Sequence, residues 1–183
     1  MKKSGSTGSR PASELRTRHL ILLPLTREAT FAEVQAMGPA DKAQLSADWL
    51  ALLRASTPQD PWVHGFSITH RQSGESVGRC GFKGPPAAEG AVEIAYGIDP
   101  AHQGNGYATE AAEALVLFAF GDDRVRVVRA HTLPHANAST RVLTKCGFRR
   151  TGEVVDPEDG LVWRWEKPRD PTARVWHGIP ESC

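Results

Sequence analysis

The stretch AVEIAYGIDPAHQGNGYATEAAEALVLFAF, residues 91–120, contains the pattern of a strand, a glycine-rich loop and a helix in succession. Apolar residues recur at every second position through 91–98, which predicts a β-strand. Residues 107–120 are rich in Ala, Leu and Glu, which favour a helix. A strand that passes through a loop into a helix exposes backbone N–H groups at the helix start. Those groups, with the helix dipole, attract anions such as phosphate.

The loop itself is HQGNGYA, residues 102–108. Gly104 and Gly106 have no side chains, so a diphosphate can approach the backbone closely. Gln103 and Asn105 add side-chain amides. The plain alternative is that the glycines only end the strand.

Two common nucleotide-binding motifs do not fit this loop. A Walker loop requires Lys and then Ser or Thr after the second glycine, and Tyr107 and Ala108 stand there. A Rossmann fingerprint requires a third Gly or an Ala where Thr109 stands. Neither motif therefore explains the loop, and for a lone Gly-x-Gly the plain alternative is favoured.

Hydrophobic periodicity predicts further elements on both sides of this unit. The other predicted strands are 16–25, 62–70, 76–84, 124–132, 148–155 and 161–167. The other predicted helices are 26–37, 44–56 and 137–146. The element order predicts an α/β fold in which helices flank a mixed β-sheet, with a hairpin over 62–84. We expect a flexible N-terminal arm over 1–14, one domain over 15–167 and a tail over 168–183.

Composition narrows the classes of partner. The chain has 183 residues, of which 40% are hydrophobic and 23% charged, as in an ordinary globular domain. A formal net charge of +1 favours neither nucleic acid nor an anionic membrane as a partner. The start MKKSGSTGSR lacks the apolar stretch of a signal peptide, and the run ALVLFAF is too short to span a bilayer.

The cysteines and histidines form no metal-binding or disulfide pattern. Cys80, Cys146 and Cys183 are odd in number and widely spaced. Cys80 and Cys146 are expected to be small buried residues, and a reducing cytoplasm is the expected location. The histidines are expected to lie scattered in loops or in solvent, and no metal is expected. Those considered are His64, His70, His102, His131 and His135.

Two motifs together point to a known family. Gln103, Gly106 and Ala108 match the pattern Q/R-x-x-G-x-G/A, and the segment from Asn137 to Phe148 matches N-x-S-x-R-V-L-x-K-x-G-F. With both motifs in this order, the chain resembles the GNAT superfamily of acyl-CoA-dependent N-acetyltransferases. It is most similar to the RimJ/RimL-type branch, and the resemblance covers roughly residues 15–167.

The resemblance implies a single-domain GNAT fold with acetyl-CoA as the cosubstrate. The loop would bind the pyrophosphate, and Asn137 the pantetheine arm. The neighbouring strands 91–98 and 125–132 would splay to form the cleft, with backbone groups from Tyr96 to Ile98 facing the thioester and pantetheine. The residues implied to bind the cofactor are Ile98, Gln103, Gly104, Asn105, Gly106, Tyr107, Ala108 and Asn137. A helix N-cap is the alternative role for Asn137.

Acetyl transfer to an amine requires removal of a proton, stabilisation of the carbonyl oxygen and departure of the thiolate. Glu93 is the candidate base or anchor for the substrate ammonium, and its alternative is an exposed glutamate on an open sheet face. Ser139 is the candidate partner of the thiolate, and its alternative is an ordinary first-turn helix residue. Many family members have a tyrosine a few residues beyond the Asn, whereas here only Tyr96 and Tyr107 exist.

The predicted function is transfer of an acetyl group from acetyl-CoA to a primary amine, by direct attack in a ternary complex. The acceptor is a protein N-terminus or a small-molecule amine, and homodimers are common in the family. One alternative is a catalytically silent acyl-CoA sensor or interaction module on the same fold. A second is a nucleotide-binding enzyme that uses the same loop.

Overall fold

The computed structural model describes residues 14–43, 45–156 and 160–171. The expected N-terminal arm and C-terminal tail lie almost wholly outside these residues. The strands are β1 Leu15–Arg16, β2 Leu20–Pro24, β3 Phe66–His70, β4 Ser76–Phe82, β5 Ala91–Ile98, β6 Val127–Thr132, β7 Arg149–Asp156 and β8 Gly160–Pro168. The helices are α1 Arg27–Ala36, α2 Pro39–Ala43, α3 Ala47–Ala55, α4 Pro61–His64, α5 Tyr107–Phe120 and α6 Ala138–Lys145.

The strands form one eight-stranded sheet in the order β1-β2-β3-β4-β5-β6-β8-β7. β5 and β6 pair in parallel, since α5 carries the chain back between them, and the other neighbours pair antiparallel. The mixed sheet and the β3–β4 hairpin are confirmed. The order places the strand before the glycine loop at the centre of the sheet.

The core lies between the sheet and α5, and it fixes where the loop sits. Ala111 and Leu115 of α5 are fully buried, and Val92 and Ile94 of β5 are almost so. Small residues on α5 let the helix approach the strand closely, and full burial of a leucine stabilises a fold by about 1.5–3 kcal/mol. The loop at 102–106 is therefore held at both ends by packed elements.

The predicted strand 16–25 was wrong in one respect, because a turn divides it into β1 and β2. The N–H of Thr17 donates to the carbonyl of Leu20 at 3.0 Å. The carboxylate of Glu110, in the first turn of α5, accepts from the hydroxyl of Thr17 at 2.6 Å and from the N–H of His19 at 3.0 Å. A side chain distant in sequence thus stabilises the turn, which local periodicity does not register.

The predicted strand 62–70 was wrong over its first part, where the chain forms α4. Asp60 caps this helix by accepting from the N–H of Trp62 at 3.0 Å, and Pro61 occupies the first turn. Proline suits this position because it needs no N–H partner there. The short helix α2 was also missed, and it too begins at a proline, Pro39.

Candidate functional site

A gap opens between the two central strands. The β5–β6 ladder runs from Ala91 opposite Val127 to Glu93 opposite Arg129 and then stops. β5 nevertheless continues to Ile98 and β6 to Thr132. The predicted splaying of these strands is confirmed, and each strand beyond Glu93 carries backbone groups that its neighbour does not bond.

The backbone of Tyr96 and Ile98 faces this gap. The carbonyl of Glu93 accepts from a backbone N–H on the β4 side of the strand at 3.0 Å. The N–H of Asp99 donates to a backbone carbonyl of β4 at 2.9 Å. Since backbone groups alternate in direction along a strand, those of Tyr96 and Ile98 point the other way. The carbonyl of Ile98 accepts from the side chain of Gln103 at 2.9 Å, which ties the strand end to the loop.

The glycine loop presents a row of free backbone donors. Among the described residues, the N–H groups of 104–108 have no hydrogen-bond acceptor, and the next residue, Thr109, donates to Gly106 at 3.0 Å. Gly104 and Gly106 both have φ of 83°, and a Cβ at either would meet no protein atom within 4 Å. The loop is therefore open on the side where a ligand would approach. Gly106 is the N-cap of α5 and supplies no side-chain cap, so the positive helix end is open too.

The polar side chains of the loop brace it from within. The amide nitrogen of Gln103 donates to Ile98, and that of Asn105 donates to the carbonyls of His102 at 3.0 Å and Gln103 at 3.3 Å. The ring of Tyr107 packs beside His70, with 5.6 Å between ring centroids. The donors left for an anion are thus chiefly main-chain groups.

Asn137 caps α6. Its Oδ1 accepts from the N–H of Thr140 at 3.0 Å, and the hydroxyl of Thr140 accepts from the N–H of Asn137 at 3.0 Å. This is a capping box. The amide nitrogen of Asn137 has no partner among the described residues, so capping leaves it able to donate to a ligand.

A cleft of about 340 Å³ lies where β6 ends and α6 begins. It brings together two residues that the sequence predicted, Asn137 and Ser139. Its lining consists of His131, Thr132, Leu133, Asn137, Ser139 and Val162. Glu93 is not among the lining residues.

The side chain of Tyr96, of which the resemblance had implied only the backbone to be at the site, lies beside Ser139. The hydroxyl of Tyr96 is buried and has no partner of good hydrogen-bond geometry among the described residues. Burial raises the pKa of this phenol, the nearby Cys146 raises it further, and the hydroxyl of Ser139 opposes the rise. Tyr96 is therefore held in its protonated form, as a donor on the gap between the strands.

Glu93 is part of a charged cluster and is not a lone surface carboxylate. Its Oε1 lies 3.0 Å from Nζ of Lys83 and 3.0 Å from Nδ1 of His131. A carboxylate of Asp156, at the end of β7, lies 3.8 Å from the same Lys83 nitrogen. Lys83 directly follows β4 and donates its N–H to the carbonyl of Glu93. His131 lies two residues beyond Arg129, the residue opposite Glu93, and so on the same face of β6.

The expectation that the histidines lie in loops or solvent was wrong for two of them. His64 is buried and contacts Ser56 at 3.1 Å. The side chain of His131 is 12% exposed, and neither ring nitrogen makes a hydrogen bond of good geometry to a described residue, although Nδ1 lies 3.0 Å from Glu93. The signal was present in the sequence: period two on β6 places Arg129 and His131 on one face, and parallel pairing brings that face to Glu93.

Comparison with known proteins decides the family. Residues 18–149 match the model of the acetyltransferase (GNAT) domain, which is well over half of the chain. The chain belongs to the GNAT acetyltransferase family. Among curated relatives of this GNAT chain, Uncharacterized N-acetyltransferase p20 of Bacillus licheniformis is 30% identical over 93 residues, which cover 51% of this chain and 52% of the relative. The chain thus spans about half the length of the curated relatives it matches.

Solved structures show the same GNAT fold. The RimL ribosomal L7/L12 α-N-protein acetyltransferase in complex with coenzyme A is 18% identical with a TM-score of 0.59, and the match covers 85% of this chain and 98% of that one. The aminoglycoside acetyltransferase AAC(6')-Ib in complex with coenzyme A is 19% identical with a TM-score of 0.56, covering 82% and 95%. At these identities, the two matches show the shared fold.

Within the described ranges, His, Cys, Asp and Glu side chains form no group of three or more able to hold a metal ion. None of the helices that the structure describes is long and apolar enough to cross a bilayer.

Proposed function

We propose that the protein transfers an acetyl group from acetyl-CoA to a primary amine. The observation that carries this proposal is the row of unpaired main-chain N–H groups at 104–108, at the open positive end of α5. Five donors, with open space beside the two glycines, fit a diphosphate, which is the charged part of coenzyme A. The family and its coenzyme A-bound structural neighbours support the same cosubstrate.

The residues of the gap fit the rest of the cosubstrate. The main-chain groups of Tyr96 and Ile98 face the gap and offer a strand edge to an amide-containing arm such as pantetheine. The amide nitrogen of Asn137 offers a donor from the other wall. Acetyl-CoA, when bound, supplies the thioester carbonyl and a thiolate as leaving group.

Side chains of the protein must then accept a proton from the acceptor and donate one to the leaving group. The acceptor ammonium must lose one, and the cluster of Glu93, Lys83 and His131 is the group of titratable side chains next to the cleft. The departing thiolate needs a nearby donor; Ser139 lines the cleft, and the buried hydroxyl of Tyr96 lies next to Ser139. A thiol has a pKa of about 8.5, so the help required is modest. Tyr96 offers from β5 the phenol that many family members carry on the helix after the Asn.

We propose only the class of the acceptor, which is a primary amine on a protein N-terminus or on a small molecule. The names of the neighbours include both a protein acetyltransferase and an aminoglycoside acetyltransferase. The cytoplasmic location and the homodimer stay predictions.

Calorimetric titration with acetyl-CoA, followed by a thiol-release screen, tests the proposal. The screen uses a free N-terminal peptide, kanamycin, spermidine and an amino acid as acceptors. We expect micromolar binding of acetyl-CoA and release of coenzyme A with at least one amine. Binding of acetyl-CoA with no release of coenzyme A on any amine would instead favour a silent acyl-CoA module. Displacement of acetyl-CoA by ATP would favour a nucleotide-binding enzyme. Absence of acetyl-CoA binding would refute the proposal and leave the loop a purely structural role.

A further inference from the structure

We propose that His131, and not Glu93, takes the proton from the amine, and that Glu93 positions His131. This inference rests on the proposed acetyl transfer and names the base within it. It starts from a largely buried histidine at the cleft, whose Nδ1 lies 3.0 Å from the Glu93 carboxylate and whose two ring nitrogens make no hydrogen bond of good geometry to a described residue.

The first step is the position of the two side chains along the splayed strands. Glu93 stands at the last paired position of the β5–β6 ladder. His131 stands two residues beyond the end of the paired section of β6, where the strands have separated. His131 lines the cleft together with Asn137 and Ser139, whereas Glu93 does not. The histidine is therefore nearer to where an acceptor nitrogen would meet the thioester.

The second step is the hydrogen-bonding capacity of each group. The carboxylate of Glu93 is an acceptor, and it is already paired with Lys83 at 3.0 Å. Its Oε1 lies 3.0 Å from Nδ1 of His131, although not in good hydrogen-bond geometry. Two lone pairs would repel at that distance, so the contact is favourable only if Nδ1 carries the ring proton. In that tautomer Nε2 keeps its lone pair, and this atom has no donor among the described residues. A buried acceptor without a donor is a group that gains by taking a proton.

The third step is the chemistry of the side chains. A general base works best when its pKa lies near the working pH, and imidazole ordinarily titrates near neutrality, whereas a carboxylate titrates near pH 4. A carboxylate that holds the far nitrogen fixes the orientation of the ring and stabilises the imidazolium as it forms. Glu93 is suited to that positioning role by its two ion-pair contacts.

The proton balance of the step is simple. The amine nitrogen forms a bond to the thioester carbon and the C–S bond breaks. The N–H proton passes to Nε2 of His131, and the thiolate gains a proton from Ser139 or solvent. His131 returns its proton to solvent, and Ser139, where it is the donor, regains one from solvent, so the sum is amine plus thioester to amide plus thiol.

The first test needs neither acceptor nor cosubstrate. Long-range proton–nitrogen NMR of the ¹⁵N-histidine-labelled protein at pH 8.5, where imidazole is ordinarily neutral, reports which ring nitrogen of His131 carries the proton. We expect the proton on Nδ1, with Nε2 showing the shift of a bare nitrogen. A proton on Nε2 would overturn the proposal, because that nitrogen would have no lone pair to offer.

The second test is His131→Asn. The Asn amide stands as many bonds from Cα as Nδ1 does, so it keeps a donor for Glu93 and removes the base. We expect kcat to fall about 10²- to 10⁴-fold and the Kd for acetyl-CoA to change less than about threefold. His135→Gln is the matched control, since His135 is an exposed histidine of the β6–α6 connection, and it should keep wild-type turnover. Turnover of His131→Asn within about threefold of wild type would overturn the proposal.

The third test is a double-mutant cycle. If Glu93 acts through His131, adding Glu93→Gln to His131→Asn lowers kcat little further, because residues that act as a unit are not additive. Two losses that multiply would show that Glu93 acts independently and would overturn its positioning role. These outcomes differ from failure of the proposed function itself, in which the wild-type protein releases no coenzyme A and the tautomer of His131 is still measured.

Discussion

Replacing Gly106 by Ala separates two contributions of that position, one to the stability of the fold and one to the ligand. Gly106 has φ of 83°, in the left-handed region, and a Cβ there would meet no protein atom within 4 Å. The free energy of unfolding therefore falls by the backbone cost alone, about 1–2 kcal/mol for an L-residue. In a domain of this size that lowers Tm by about 2–8 °C.

The effect on the ligand comes in addition to this cost. The new methyl group points into the open space of the loop, where we propose that the diphosphate lies. One hydrogen bond from a main-chain N–H to a charged oxygen contributes about 1.5–3 kcal/mol, so loss of a single bond weakens acetyl-CoA about 10- to 150-fold. Titration calorimetry measures the Kd, and a thermal melt of the same sample measures Tm.

Gly74→Ala is the matched control. Gly74 lies in the β3–β4 turn with φ of 73°, and a Cβ there also meets nothing within 4 Å. The two variants should lose the same stability, while Gly74→Ala binds acetyl-CoA like the wild type. If Gly106→Ala binds as tightly as Gly74→Ala, the loop does not hold the diphosphate and the reasoning from free amides is refuted.

Three further variants or measurements probe the site and the fold. Asn137→Asp keeps an oxygen for the cap but removes the amide donor. Tm should therefore hold within about 2 °C, while calorimetry should show acetyl-CoA binding weakened about tenfold or more. Unchanged affinity would contradict the ligand role. Burial raises the pKa of Cys80 to about 12 and that of Cys146 to about 11. Maleimide labelling of both residues at pH 8, located by mass spectrometry, should therefore be about 100-fold slower or more than in the urea-unfolded chain. Similar rates would contradict their burial. Burial opposes ionisation of Glu110, but hydrogen bonds from neighbouring groups outweigh it and hold its pKa below the usual value. A carboxylate with a lowered pKa stabilises the fold above its unfolded-state pKa, and this stabilisation is lost as pH falls through its folded-state pKa. Urea titrations should therefore show that Glu110→Gln lowers the free energy of unfolding at pH 7 and lowers it less below about pH 4. An equal loss at the two pH values would exclude this ion-linked role.

The elements that the sequence predicted best are those whose local signals agree. The structure has β5 at Ala91–Ile98 and α5 at Tyr107–Phe120, with the bounds that the sequence predicts. Alternation, helix propensity and glycines at the boundary point to the same limits there. Thr26 and Asn137 likewise cap α1 and α6 through their own side chains, as capping residues do within one turn of the chain.

The elements that the sequence missed depend on partners distant along the chain. Thr17 and His19 turn the first strand because Glu110, about ninety residues later, holds them. The splay was implied by the family and not by the residues, because no local pattern shows where two strands cease to pair. The bracing of the loop by Gln103 depends on the loop having closed onto Ile98. Such contacts follow from the fold and do not precede it.

The end of the β5–β6 ladder explains why one cluster can serve as both anchor and base. If pairing continued in register, His131 would stand opposite Ala95 and its ring would lie over a closed ladder. Because pairing ends at Glu93, the carboxylate remains on the rigid section, where Lys83 and the sheet hold it. The imidazole extends from that anchor over the open section, where the cleft begins. A rigid carboxylate beside a gap is the arrangement that positions a ring without blocking its far nitrogen. The site therefore depends on where the strands separate as much as on which residues they carry.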